Sequence, residues 1–140
     1  KTVSSRRIIP VHSELKRMGF LEFVAEKRKA GAKHLFPALH TSDVGKHSSA
    51  VSKWYHRFLV SVGIKRPDIT FHSFRHSFRD ALRRGHVHPL IEDALGGWAS
   101  GEKKGTKEIY GAGYPPAMLA AEMEKVQFPG LDLKHLHLHR

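Results

Sequence analysis

The chain has 140 residues, with 24 Lys plus Arg against 13 Asp plus Glu, a formal net charge of +11 with His neutral, and no cysteine. That length reads as a single domain burying about two-thirds of its unfolded surface, which excludes disorder and a stapled mini-protein; the missing cysteines exclude disulfide frameworks, thiolate-held zinc and thiol catalysis. The longest apolar run, residues 117–121, is far short of the roughly 18 residues of a spanning helix, and no signal-type apolar stretch opens the sequence, so a soluble, cytoplasmic protein with no membrane partner is expected.

Residues 1–11 end in Ile8-Ile9-Pro10-Val11, which predicts a short strand that Pro10 confines to an edge. No earlier strand is there to pair with it. Residues 12–30 are helical in pattern with a break at Gly19: Leu15 and Met18 share one short face, Phe20, Leu21, Val24 and Ala25 the next, and Gly31 suits a stop. After a polar loop, residues 48–62 set Val51, Tyr55, Phe58, Leu59 and Val62 on one stripe with Lys53, His56 and Arg57 opposite, an amphipathic helix ended by Gly63.

A helix is predicted over 73–84. Phe74, Phe78, Ala81 and Leu82 follow i, i+4, i+7, i+8 and form its core face, while His72, Arg75, Arg79 and Arg83 share another side. Pro89 suits the first turn of a short helix with Ile91, Ala94 and Leu95 inward; Gly96-Gly97 stop it and present Trp98 just past its end. Residues 99–105 read as a mobile loop and 106–110 as one helical turn. A last helix begins near Pro116 with Leu119, Met123 and Val126 inward, and the tail 131–140 alternates like a strand or an extended arm. The expected architecture is mainly α with a small N-terminal β-strand or hairpin remnant.

The charge is unevenly spread: residues 1–114 hold 21 basic and 10 acidic side chains, residues 115–140 three of each. All of the excess precedes the last quarter. A field of that sign suits a polyanion, since each phosphate neutralised by Lys or Arg releases condensed counterions, and the basic residues recur on helix faces rather than in one tail.

Four segments stand in a suggestive order: Lys1-Thr2 with Ser5-Arg6-Arg7-Ile8-Ile9-Pro10, then His72-Ser73-Phe74-Arg75, then Leu95-Gly96-Gly97-Trp98, then Thr106-Lys107-Glu108-Ile109-Tyr110. In that order they resemble the catalytic domain of the tyrosine recombinases, the phage-integrase family, over nearly the whole chain. The Phe71 to His76 segment, Tyr110-Gly111 with Gly113-Tyr114, and Phe128-Pro129-Gly130-Leu131-Asp132-Leu133 resemble integrases of bacterial prophages and genomic islands in particular.

The resemblance implies cofactor-free, metal-free phosphoryl transfer on double-stranded DNA attachment sites through a 3′-phosphotyrosyl intermediate. Tyr110 matches the nucleophile. A phenol with pKa near 10 needs a proton acceptor at neutral pH, and the phosphorane-like charge needs fixed donors. Arg75 matches a phosphate-clamping arginine, whose guanidinium offers two permanently charged donors, and His72 matches the histidine one turn before it. Trp98 falls where the family has His or Trp; its indole N–H donates but takes no proton. Lys1 matches the hairpin lysine suited to protonating the departing 5′-oxygen. Tyr114 is the alternative nucleophile, although its neighbour Pro115 suits it to packing or capping.

The family's first arginine, in an upstream helix, has no counterpart in this sequence, so the chain is expected to be the C-terminal part of such a catalytic domain and inactive alone. Lys53, Arg57, Arg79, Lys103 and Lys104 are candidates for DNA-backbone contacts, which set affinity and register without reading sequence. The resemblance also implies a homo-tetramer on DNA linked by exchange of the C-terminal tail, with accessory DNA-bending proteins. Two other readings stay open: a degenerate integrase remnant that binds DNA without cleaving it, and a His-rich metal-handling protein. His72 and His76 are one turn apart and His135, His137 and His139 alternate, but no glutamate or third ligand accompanies the first pair.

Overall fold

A computed structural model describes residues 7–37, 39, 48–98 and 113–138. Among these residues the chain forms six α-helices and one 3₁₀ turn, with no β-strand. The helices are α1 (Ser13–Arg17), α2 (Phe20–Lys29), α3 (Ser48–Ser61), α4 (Ser73–Arg84), α5 (Pro89–Gly96) and α6 (Pro116–Met123). No helix among the described residues is long and apolar enough to cross a membrane.

The mainly helical expectation holds, and the helix limits follow the sequence signals closely. Ile8 to Val11 is a correction: these residues form no strand. Ile8 and Ile9 are exposed, Pro10 lacks an N–H, and among the described residues no extended segment pairs with them. The tail is a second correction. In place of a strand or extended arm it holds a 3₁₀ turn at Lys134–Leu136, started by the Asp132 carboxylate, which accepts the Lys134 N–H at 2.9 Å.

The chain divides into two compact units, Lys1–Gly19 with Arg75–Arg140 and Phe20–Phe74. The core of the first unit is Ala81 and Leu82 of α4, Ile91 and Leu95 of α5, Leu119 and Met123 of α6, and the connecting residues Val87 and Val126. Phe78, Ala94, Trp98 and Tyr114 pack on its rim. Each fully buried leucine contributes about 1.5–3 kcal/mol relative to exposure.

Local chemistry starts and stops these helices. His12 and His88 sit at the N-caps of α1 and α5 and accept the Glu14 and Leu90 N–H groups on Nδ1 at 3.1 and 3.3 Å. Pro89 occupies the first turn of α5, where its missing N–H costs nothing. The N-terminal segment joins the rest of its unit through the Ser13 N–H, which donates to Glu124 Oε1 at 3.0 Å, and His12 Nε2 lies 3.8 Å from Glu124 Oε2.

In the second unit, Leu59 of α3 is buried, and Tyr55 meets Phe71 edge-on and Phe74 at a tilt, each with ring centroids 5.5 Å apart. Trp54 and Phe58 stack on the exposed side of α3.

Candidate functional site

Two local features build the site: the first two turns of α4 and the C-terminal end of α5. Gly97 closes α5 in the left-handed conformation (φ 62°), and its N–H donates to the Asp93 carbonyl. That reversal folds Trp98 back, so its N–H also donates to Asp93 O at 3.2 Å and its ring covers Gly96. A Cβ on Gly96 would fall within the Trp98 ring. The two glycines thus do separate jobs, one making room for an indole and the other supplying positive φ.

α4 brings three side chains to that indole. The Arg75 guanidinium lies 4.6 Å from the Trp98 ring centroid, the Arg79 guanidinium 5.0 Å, and the Phe78 ring stacks at 6.2 Å. Cations over an indole face are worth about 0.5–2 kcal/mol each, according to how dry the contact is. Arg75 is also held end-on: its Nη1 donates to the Gly96 carbonyl at 2.7 Å and its Nη2 reaches Gly97 O at 3.5 Å. These are the carbonyls that the end of a helix leaves without partners, and they carry the negative pole of its dipole.

Glu92, one turn earlier on α5, is only 5% exposed. Its Oε2 lies 3.9 Å from Arg79 Nε and 3.8 Å from Arg83 Nε, so the arginine row of α4 runs along α5 from Glu92 to the helix end. Sequence reasoning missed Glu92. The signal was there, because Arg79 and Arg83 at i, i+4 on one helix ask for a carboxylate on whatever packs against them.

Of the residues singled out from the sequence, the structure brings Arg75, Arg79 and Trp98 together. His72 is exposed just before α4, and Lys53 and Arg57 are exposed on α3. His76 is exposed on α4, His135 lies in the 3₁₀ turn, and His137 bonds Glu14. Tyr114 is half-buried against the core rim. Tyr110, Lys1, Lys103, Lys104 and His139 lie outside the described residues. Among the described residues, no three His, Asp or Glu side chains gather to hold a metal ion.

Comparison with protein-family models, with curated proteins and with solved structures gave no match to this chain.

Proposed function

We propose that the chain serves site-specific DNA recombination, breaking and rejoining DNA through a 3′-phosphotyrosyl intermediate formed on Tyr110 in the manner of a prophage or genomic-island integrase. One observation carries the reading furthest. Arg75 and Trp98, assigned to the same phosphate by the resemblance alone, meet in the structure as a guanidinium 4.6 Å from an indole centroid. The net charge of +11 supports a polyanionic substrate.

In this reading Tyr110 gives up its phenolic proton to solvent as its oxygen attacks the phosphorus, and the phosphate keeps its bond to the 3′-oxygen. The 5′-oxygen leaves with a proton supplied by Lys1, and Arg75, His72 and Trp98 donate to the nonbridging oxygens. No metal or cofactor enters the scheme. The 5′-hydroxyl of a partner strand then displaces Tyr110. Tail exchange between copies would release the bonds of His137 with Glu14 and Leu138 with Arg17, which hold the tail on its own chain, and carry the half-exposed Leu136 and Leu138 to a neighbour.

The test is a nicked suicide substrate offered to the complete gene product. The short 5′ fragment diffuses away, so a covalent protein–DNA adduct accumulates. Tyr110→Phe is expected to abolish the adduct and leave DNA binding unchanged. If Tyr114→Phe abolishes it instead, the nucleophile is Tyr114; if the unaltered protein binds DNA yet never forms an adduct, it is a binding module.

A further inference from the structure

α3 carries an aromatic pair that the core leaves out. Trp54 and Phe58 stand one turn apart with their rings stacked at 13° and their centroids 5.6 Å apart, and they remain 55% and 44% exposed. The apolar contacts of α3 run along another side, where Leu59 is buried and Tyr55 meets Phe71 and Phe74. Lys53 and Arg57, each one residue before a ring and themselves one turn apart, form the row beside the pair, and both are exposed.

The helix Ser48–Ser61 contains no Asp or Glu. The compact unit that holds it, Phe20–Phe74, has nine Lys and Arg against four Asp and Glu. An exposed aromatic face of this kind marks an interaction surface, and its neighbours say what it fits. The cores of protein interfaces are depleted of charge, of lysine in particular, yet two cations border this pair and no carboxylate on the helix balances them. An unpaired nucleotide fits both rows at once. Its base stacks on an aromatic ring whatever its identity, and its phosphate meets a cation beside that ring. A duplex fits only the cationic row, because its bases present edges and keep their faces stacked on each other.

We propose that α3 is a binding surface for single-stranded DNA, on which bases stack on Trp54 and Phe58 while phosphates pair with Lys53 and Arg57. The surface lies on one helix and uses none of the residues assigned to cleavage. Only the choice of DNA over RNA rests on the proposed recombination.

The test is the anisotropy of a fluorescein-labelled thymidine oligonucleotide of about 12 nucleotides, with a duplex of the same length and the matching uridine RNA as further arms, read between about 50 and 200 mM salt. Trp54→Ala is expected to weaken single-strand binding roughly tenfold and duplex binding by less than about twofold. Trp54→Phe keeps a ring and should recover most of the affinity. Lys53→Gln combined with Arg57→Gln should lower the slope of log affinity against log salt by about 1.4, two phosphates at about 0.7 each on a single strand. Unchanged circular dichroism and thermal midpoints show that the variants are folded. In the unaltered chain, a strand carrying bromodeoxyuridine should crosslink to Trp54 or Phe58 under near-ultraviolet light.

Equal losses on single strand and duplex, or a crosslink confined to other residues, would overturn the stacking. Unchanged DNA binding by Trp54→Ala, with a dimer of the parent chain becoming a monomer in sedimentation, would assign the pair to a second copy and overturn the proposal. Tighter binding of the RNA would overturn the assignment to DNA. An unaltered chain that binds no single strand would overturn the whole proposal, while the recombination reading is decided separately by the covalent adduct.

Discussion

His137 Nε2 stands 2.8 Å from Glu14 Oε2, so the C-terminal tail is fastened to α1 by a side-chain pair beside the Leu138 N–H, which donates to the Arg17 carbonyl at 2.9 Å. Arg17 pairs with the same Glu14 carboxylate, and the Leu138 side chain lies where a Cβ on Gly19 would be. The hydrogen bond with His137 is the largest influence on Glu14 and, with Arg17, holds its pKa below the ordinary carboxylate value against an opposing desolvation effect. Glu124 is lowered in the same sense, chiefly by its hydrogen bonding with Ser13.

A carboxylate with a depressed folded pKa stabilises the fold above its unfolded pKa and loses that contribution as pH falls through the folded one. Protection of the Leu138 amide from hydrogen exchange, corrected for intrinsic rate, is therefore expected to be steady near neutrality and to fall through the acidic range where Glu14 gains its proton. Glu14→Gln should lower protection at neutral pH and flatten that dependence. Equal acid loss of protection in Glu14→Gln would assign the effect to another group.

Gly96→Ala should cost about 1–3 kcal/mol, the usual penalty of overpacking, because the added methyl must displace the Trp98 ring. Gly97→Ala should cost about 1–2 kcal/mol for a left-handed alanine. Denaturant midpoints measure both. Near-UV circular dichroism separates them, with a larger change in the tryptophan bands for Gly96→Ala.

Glu92→Gln keeps the shape of the side chain but removes the charge facing Arg79 and Arg83. The expected loss is about 1–3 kcal/mol in chemical denaturation, limited because the outer parts of both arginine side chains are exposed, although the Arg79 Nε that faces Glu92 is itself buried. A stability equal to the parent's would mean that the 3.8–3.9 Å separations carry no net attraction.

Arg75→Lys should reduce adduct formation by the complete gene product about a hundredfold or more, the scale seen when one donor to a developing oxyanion is lost. An ammonium can neither span two oxygens nor hold the Gly96 and Gly97 carbonyls as the guanidinium does. Unimpaired cleavage by this variant would remove Arg75 from the chemistry.

The sequence made helices legible wherever a stripe met a stop signal. Residues 73–84 were expected as helical, and α4 is Ser73–Arg84. The stripes were less informative about burial. Leu82 is fully buried and Phe78 packs on the core rim, yet Phe74, the first residue of the same stripe, is 56% exposed and contacts Tyr55 and Phe71 instead. On α3 only Leu59 of its stripe is buried, while Phe58 and Val62 are exposed. Periodicity reports which side of a helix is apolar; what lies opposite depends on neighbours that are far away in sequence. The meeting of Arg75 with Trp98 was expected from the resemblance alone. Glu92 was not singled out, since it sits on a turn where a carboxylate is unremarkable for its effect on the helix dipole.

The boundaries of the two units have a topological consequence. Residues 20–74 are an insertion within the unit made by Lys1–Gly19 and Arg75–Arg140. That outer unit closes only when its short first segment finds the rest across the whole insertion, through Arg7 with Leu95, Ser13 with Glu124 and Arg17 with Leu138. A chain cut within the insertion leaves the outer unit in two pieces, which these contacts and the pairs of His12 with Glu124 and His137 with Glu14 join. The piece that carries the first nineteen residues then becomes detachable, and its reassociation with the remainder reports on closure of the outer unit together with the cut insertion.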